Sequence, residues 1–558
     1  MPNKIDYYTH DGSDPLEEDT PAFASVADVI ERERLFEEKK AAEEAKKLYP
    51  EITNIKKMDI KDERLQEIID FYKDKKPERS ELEIIANVEF YRRWKDHTKE
   101  RRALEYIRTR LYLSYVYTYE RGWMRYREGC WVEDSYEKIF ADIRRLVDKD
   151  IEIIDRLAAK FSTEKMIITD FYRSIYVRST IENALALARG EKEFSMPLDE
   201  FDKDPYVLNC TNALVNLESG EMKGHTPMQK TRMQTNTSYI ASAPCPNWLK
   251  FLGTIFQDNQ ELIEYVQRAL GYSISGDTSE QCLFICYGTG QNGKSTFMRV
   301  VLEILGTYAG VINMSAFLEN NNDVTRSDLA GLKGKRFVSA NETNSNKQFD
   351  SAILKKVTGE DKIKCRFLYK DYFEYTPTFK IWMALNHLPS VNEQTKAFWR
   401  RIRVIPFTAQ IPDNQVDKNL TQKLLAESEG ILYWMVQGFQ KWRKNGLGTC
   451  QAVEEITKEY KEDNDTLKDF LEQYCEIGSD YEVTTTDLYN AYDKYCNENN
   501  VKEHFRLSQR NFAMKLKERG FERTKHIRIG NDEFRGFKGL RLKNSILPQD
   551  IEEKEVDF

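Results

Sequence analysis

The nine cysteines of this 558-residue chain form no CxxC pair, and its six histidines show no zinc-ligand spacing. The sequence therefore offers neither a disulfide framework nor a structural zinc. Cys282 and Cys286, the nearest pair, lie in an apolar run and read as buried thiols. No apolar run approaches the ~18 residues of a membrane span. The N-terminal MPNKIDYYTHDGSDPLEED lacks the apolar core of a signal peptide. A soluble, cytoplasmic protein is the expectation. Positive charge is not in excess either: 84 Lys and Arg against 92 Asp and Glu leave a net charge of −8. That argues against coating nucleic acid with the whole surface, while leaving room for a local basic channel.

What is present points to several folded domains. Charged residues make up 32% of the chain, above the roughly 25% of an average globular protein. Thirty Tyr and 29 Phe still supply ample core. At roughly 150 residues per domain the length suggests three or four. Residues 1–80 read as a disordered or helical charged arm, either flexible or partner-binding; the first 20 hold six acids against one Lys. A folded N-terminal domain is expected over 81–246. It is helical by period through ELEIIANVEFYRRWKDHTKERRALEYIRTRL, with a strand meander around Gly122 and Gly129 and further helices from Tyr136 to about Arg189. Strands alternating with helices over 247–447 predict an α/β domain. Residues 455–545 read as helices, TLKDFLEQYCEI among them, followed by a hairpin turning at Gly530-Asn531-Asp532, and 546–558 as an acidic tail.

The strongest motif is GTGQNGKS, Gly288 to Ser295, between the apolar CLFICY and the helical STFMRVVLEIL. It fits G-x-x-x-x-G-K-[ST] in the strand–loop–helix context that the pattern requires. Glycines let backbone amides cradle phosphates at a helix N-terminus. ATP is therefore expected on Gly288, Thr289, Gly290, Gln291, Asn292, Gly293, Lys294, Ser295 and Thr296. Lys294 would reach the β- and γ-phosphates, and Ser295 would hold Mg²⁺. GKRFVSANE supplies an acidic strand end at Glu342, the expected general base and second metal-site residue, after Asn341 where many P-loop enzymes have Asp. KIWMALN ends at Asn386, a candidate γ-phosphate sensor. In FWRRIRVIPF, Arg400 and Arg401 are either a basic strand end or an arginine finger. DKIKCRFLYKDYFEY reads as a hairpin, with Lys362, Lys364 and Arg366 on its basic face and Lys370 near its tip.

These segments resemble motifs A, B, B-prime and C of superfamily 3 helicases and the arginine segment after motif C. The whole is similar to the phage/plasmid primase-helicase family, which includes the poxvirus primase-helicase. The likeness extends over about residues 85–545, through YVLNCTNALVNLESGEMKGHTP and CPNWLKFLGTIF to the stretch after 455. It implies a multidomain α/β protein: a helical N-terminal domain with a small strand meander, an AAA+ P-loop ATPase core, and a C-terminal winged helix. It also implies a homo-oligomeric ring, commonly a hexamer, around DNA. Lys294 and Ser295 would take the phosphate and metal roles, Glu342 the catalytic role and Asn386 the sensor role. Arg400 or Arg401 would reach across a subunit boundary, and Lys370 would touch DNA. Only about 80 weakly structured residues precede the likeness, so priming is expected from a separate protein.

From Val501 to Ser545, 13 Lys or Arg face 5 Asp or Glu. Arg510, Lys515 and Lys517 on a helix, with Arg523, Lys525 and Arg528 on a hairpin, are the expected duplex contacts; docking onto acidic protein segments is the competing use. The reading that results is an ATP-dependent, ring-forming replicative DNA helicase of a phage, plasmid or integrated element. Two alternatives stay open: a P-loop ATPase that remodels DNA or acts in defence without unwinding, and an ATP-gated origin-binding scaffold.

Overall fold

The computed structural model describes residues 63–73, 78–134, 137–319, 327–341, 348–366, 371–391, 393–499, 501, 506–529 and 532–543. Two compact units divide the chain. The first runs to Gln234, except for 205–208 and 216–220; the second takes those two short stretches and everything from Thr235.

The first unit is a helical core with a small sheet. Helices Glu63–Lys73, Arg79–Trp94, Lys99–Leu111, Lys138–Ile154, Ser162–Ile175 and Arg178–Ala188 pack around Ile68, Val88, Ile107, Ile143 and Ile181, each fully buried. Within the arm expected over 1–80, residues 63–73 form a helix that packs into this core. Leu65, Ile68, Ile69 and Tyr72 recur at helical spacing and join the core, so this stretch is an amphipathic helix. Residues 1–62 lie outside the described residues. The meander is as expected: β1 (Tyr115–Thr118), β2 (Gly122–Arg127) and β3 (Cys130–Glu133) pair antiparallel. A buried carboxylate is fully engaged within the helices. Asp150 accepts from Tyr106 Oη at 2.6 Å and from Arg110 and Asn87 at 3.2 Å. Such an ion pair is tolerated in a core only with hydrogen bonds of this kind.

Three short strands follow, β4 (Val207–Asn209), β5 (Leu214–Asn216) and β6 (Met222–Lys223). The second unit is built on a five-stranded, wholly parallel sheet of β7 (Leu283–Tyr287), β8 (Ala309–Asn313), β9 (Phe337–Asn341), β12 (Lys380–Leu385) and β13 (Ile402–Pro406). The intervening β10 (Ile363–Cys365) and β11 (Phe373–Tyr375) form a separate antiparallel hairpin. The spatial order is β13-β7-β12-β9-β8. Strand β12 is inserted between β7 and β9, and β13 closes the other side of β7. Both neighbours of β7 thus come from late in the chain, which makes its carboxyl end a topological switch point, the usual ligand crevice of an open α/β sheet. Buried on both faces, β7 and β12 read as continuous apolar runs. Trp382 lies against Phe284 at 4.5 Å and Phe337 at 5.6 Å, its indole N–H donating to Ser273 Oγ at 2.9 Å.

Helix Gln451–Asp463 belongs to this sheet. Thr457 Oγ1 accepts from the Val404 amide at 3.1 Å, and Tyr460 is part of the sheet's core. The boundary predicted between 447 and 455 therefore shifts to about Asn464, because Ile456 and Tyr460 bury their apolar face on β13 and its surroundings. Beyond it come helix Thr466–Tyr474, β14 (Cys475–Thr484), helices Thr485–Glu498 and Gln509–Glu518, then β15 (Glu522–Ile529) and β16 (Asp532–Leu542). The strands order β14-β16-β15, antiparallel. Strand β14 corrects the expectation of continuous helix through TLKDFLEQYCEI. The helix stops at Tyr474, and Cys475 and Ile477 pair with Leu542 and Leu540 on β16. Thr484 and Ser508 cap the two following helices, accepting from the amides of Asp487 and Asn511. Among the described residues no helix is long and apolar enough to cross a membrane.

Candidate functional site

The phosphate-loop motif occupies the switch point. β7 ends at Tyr287, the loop follows, and helix Lys294–Leu305 begins at the motif lysine. Two glycines are obligatory. A Cβ on Gly288 would lie 2.2 Å from the Phe407 carbonyl oxygen; Gly293 has φ +85° and its Cβ would meet Ile255 Cγ2 at 2.5 Å. The loop is tied by its side chains and carbonyls. Asn292 Nδ2 donates to Phe407 O at 3.0 Å, Ile411 N donates to Gln291 O at 3.0 Å, and Gln291 Nε2 donates to Asp413 at 2.8 Å. The backbone amides of Thr289 to Gly293, by contrast, donate to no acceptor among the described residues. Five amides at the N-terminus of a twelve-residue helix are the donor set that an anion needs.

Lys294 is buried, and its Nζ donates to Gly288 O at 2.5 Å and Asn292 Oδ1 at 3.1 Å. The ammonium is thereby folded over the loop. Ser295 is exposed at the same helix start and Thr296 is half-buried behind it. Below the loop, Cys282 and Cys286 are buried as expected, and burial pushes the Cys282 thiol up to about 12 and Cys286 higher still.

Strand register brings Asn386 to this edge. Leu385 is opposite Tyr287, and the Gly288 amide donates to Leu385 O at 3.3 Å, so Asn386 stands one residue beyond the loop's first bond. Asn341 ends β9 opposite Ala384. Glu342, the expected base, lies outside the described residues, as does Lys370. The two arginines are elsewhere. Arg400 and Arg401 precede β13, and Arg401 O accepts from the amide of Leu283, the first residue of β7. They therefore sit at the amino end of the sheet, about 15–20 Å from the loop at 3.3 Å per residue. Within one chain neither arginine is at the loop. Arg400 Nη2 donates to Gln281 Oε1 at 2.6 Å, and Arg401 donates to the Ala397 carbonyl and, at 3.5 Å, to Gln281.

The expected basic hairpin is β10–β11. Ile363, Cys365 and Tyr375 are buried while Lys362 and Lys364 are exposed and Arg366 is half-buried. In the C-terminal part the basic residues divide into two groups. Arg519, Arg528, Lys538 and Arg541 are engaged with Asp465, Glu533, Glu482 and Glu476. Lys515 is half-buried. Arg510, Lys517, Arg523, Lys525 and Arg535 are exposed and form no ion pair among the described residues. Sequence reasoning also missed Asp413, Gln281 and Tyr372. Asp413 and Gln281 become visible only once segments distant in sequence are adjacent, whereas Tyr372 lies within the hairpin segment itself and is singled out by the cations over its ring.

Comparisons with known proteins place these elements in context. Residues 100–257 match the family described as D5 N terminal like, and residues 462–536 the family described as Poxvirus D5 protein-like. Over those two stretches the chain is similar to D5-like viral proteins. Between those matches, residues 286–401, from the phosphate loop to Arg401, match a family of unknown function, DUF5906. The chain is 28% identical over 300 residues to a putative helicase, L207/L206, of Acanthamoeba polyphaga mimivirus; the match covers 50% of this chain and 31% of the relative. It is 25% identical over 276 residues to the putative helicase 022R of Frog virus 3, covering 46% and 28%. With the putative primase C962R of African swine fever virus the identity is 23% over 373 residues, covering 62% and 38%. The matched stretches thus span about a third of these relatives' own length. Among solved structures, the apo NrS-1 C-terminal region aligns with a TM-score of 0.41 at 11% identity, covering 76% of this chain and 95% of that one.

Proposed function

We propose that the D5-like chain is an ATP-dependent DNA helicase serving replication of a viral or other mobile element, working as a homo-oligomeric ring. One observation carries the reading: five unengaged amides, a folded-back Lys294 and the exposed Ser295 hydroxyl converge at the switch point of a parallel sheet. That donor set fits a nucleoside triphosphate with Mg²⁺. The metal would supply charge neutralisation between the β- and γ-phosphates, held on the protein side by Ser295 and Glu342.

The chain's own residues then divide the work. The loop amides bind and orient the phosphates, and Lys294 exchanges its carbonyl partner for a phosphate oxygen. Glu342 takes the proton of the attacking water, and Asn386, one residue past the loop's first bond, orients that water. Arg400 and Arg401, remote from their own loop, serve a neighbouring subunit's site. The β10–β11 hairpin carries Lys362, Lys364, Arg366 and Lys370 toward a single strand. The helix–strand–helix–helix–strand–strand order from Thr466 to Leu542 is that of a winged helix, whose exposed Arg510, Lys517, Arg523 and Lys525 would meet duplex phosphates. Strand displacement from a forked duplex, followed with ATP and with a non-hydrolysable analogue, is the test. Displacement with ATP alone supports the reading; DNA-stimulated hydrolysis without displacement replaces it with a remodelling ATPase.

A further inference from the structure

Tyr372 stands on the solvent side of the β10–β11 hairpin with 54% of its surface exposed. The opposite side of that hairpin is anchored. Ile363, Cys365 and Tyr375 are buried, and Tyr375 Oη donates to Leu329 O at 2.6 Å. Two cations converge on the exposed ring: the Arg366 guanidinium carbon at 4.7 Å from its centroid and Lys364 Nζ at 5.3 Å. Neither cation forms an ion pair among the described residues, although Glu374 is opposite Lys364 in the strand register.

As an intramolecular feature this cluster has little to offer. A cation over an exposed ring contributes about 0.5–1 kcal/mol, and an ammonium and a guanidinium held together on one phenol repel each other. A ligand that is both anionic and flat resolves the arrangement. We infer that Tyr372, flanked by Arg366 and Lys364, is a stacking platform for one base of single-stranded nucleic acid, the two cations taking the phosphates on either side. The inference rests on the DNA-helicase reading and deepens it. The hairpin would grip the strand by a base face as well as by charge, in a sequence-tolerant way because every base has a π face.

The experiment measures binding of the full-length chain to two fluorescent probes of equal length, oligo-dT and an abasic deoxyribose-phosphate strand, across a salt series. Wild-type protein is expected to bind oligo-dT more tightly than the abasic strand. Tyr372→Ala should weaken oligo-dT binding about tenfold, leave the abasic strand unaffected and keep the salt slope. Tyr372→Phe should retain the preference, since the ring and not the hydroxyl stacks. Arg366→Ala should weaken both probes and flatten the salt dependence. Oligo-dT binding undiminished in Tyr372→Ala, or a loss equal for both probes, overturns the platform while leaving the helicase reading standing. Wild-type protein that binds neither probe overturns both.

Discussion

Lys294 is a buried ammonium, and two of its partners are oxygens of its own loop. Lys294→Ala is expected to abolish ATP hydrolysis in a phosphate-release assay. Glu342→Gln should separate binding from turnover: an amide cannot act as base, so hydrolysis should fall by about 10²–10⁴, while a fluorescent ATP analogue still binds. Wild-type turnover in the Gln variant would remove Glu342 from the base role. The thiols beneath the loop give a pH test. Burial raises Cys282 to about 12, so in the folded chain it stays protonated across the neutral range. A thiol reagent at pH 8 should leave Cys282 and Cys286 unmodified until denaturant is added, as read by peptide mass. The sign follows from the shift: a folded pKa above the unfolded ~8.5 contributes stability that is present below that value and lost as pH rises toward 12.

Strand β13 is the element that links the two ends of the sheet. Its amino end carries Arg400 and Arg401, and its carboxyl end runs into Phe407 and Ile411, which bond to Asn292 and Gln291 of the phosphate loop. If an arginine completes a neighbour's site, Arg401→Ala or Arg400→Ala should lower hydrolysis by about 10³–10⁵, against at most about 1 kcal/mol for a surface ion pair. Mixing the inactive arginine variant with Lys294→Ala subunits should restore part of the activity. Interfaces that join an intact loop to an intact arginine then reappear. Normal hydrolysis by both arginine variants alone would make the pair structural, serving only to hold Gln281 at the start of β7.

For the molecule as a whole, the packing of helix Gln451–Asp463 on β13 decides where the parallel-sheet domain ends. Tyr460 contacts Trp399 at 5.3 Å, and Asn464 Oδ1 accepts from the Val391 amide at 2.7 Å. A chain ending at Asn464 should keep basal ATPase and lose duplex affinity, with the loss largest at low salt because Lys and Arg contacts release counterions. A chain ending at Gly446 should be destabilised in addition. It exposes the partners of Ile456 and Tyr460, each worth about 1.5–3 kcal/mol on burial, and its thermal midpoint should fall by several degrees. Equal midpoints for the two truncations would show that this helix is dispensable to the sheet.

Local pattern was sufficient for much of this. The strand–glycine loop–helix from Leu283 to Leu305, the meander around Gly122 and Gly129, the alternating hairpin at Ile363 and the caps at Thr484 and Ser508 follow from residue spacing, turn chemistry and side-chain hydrogen bonds within a few positions. Long-range packing decided the rest. Insertion of β12 between β7 and β9 carries Asn386 to the loop, and the parallel pairing of β13 with β7 carries Arg400 and Arg401 to the far end. Docking of Leu65, Ile68 and Tyr72 turns a charged stretch into a core helix. An ion pair with Glu533 occupies Arg528, one of the basic residues expected on DNA. Periodicity and turn preference are encoded over a few neighbouring residues, whereas sheet order, burial and charge pairing depend on which distant segments share a surface.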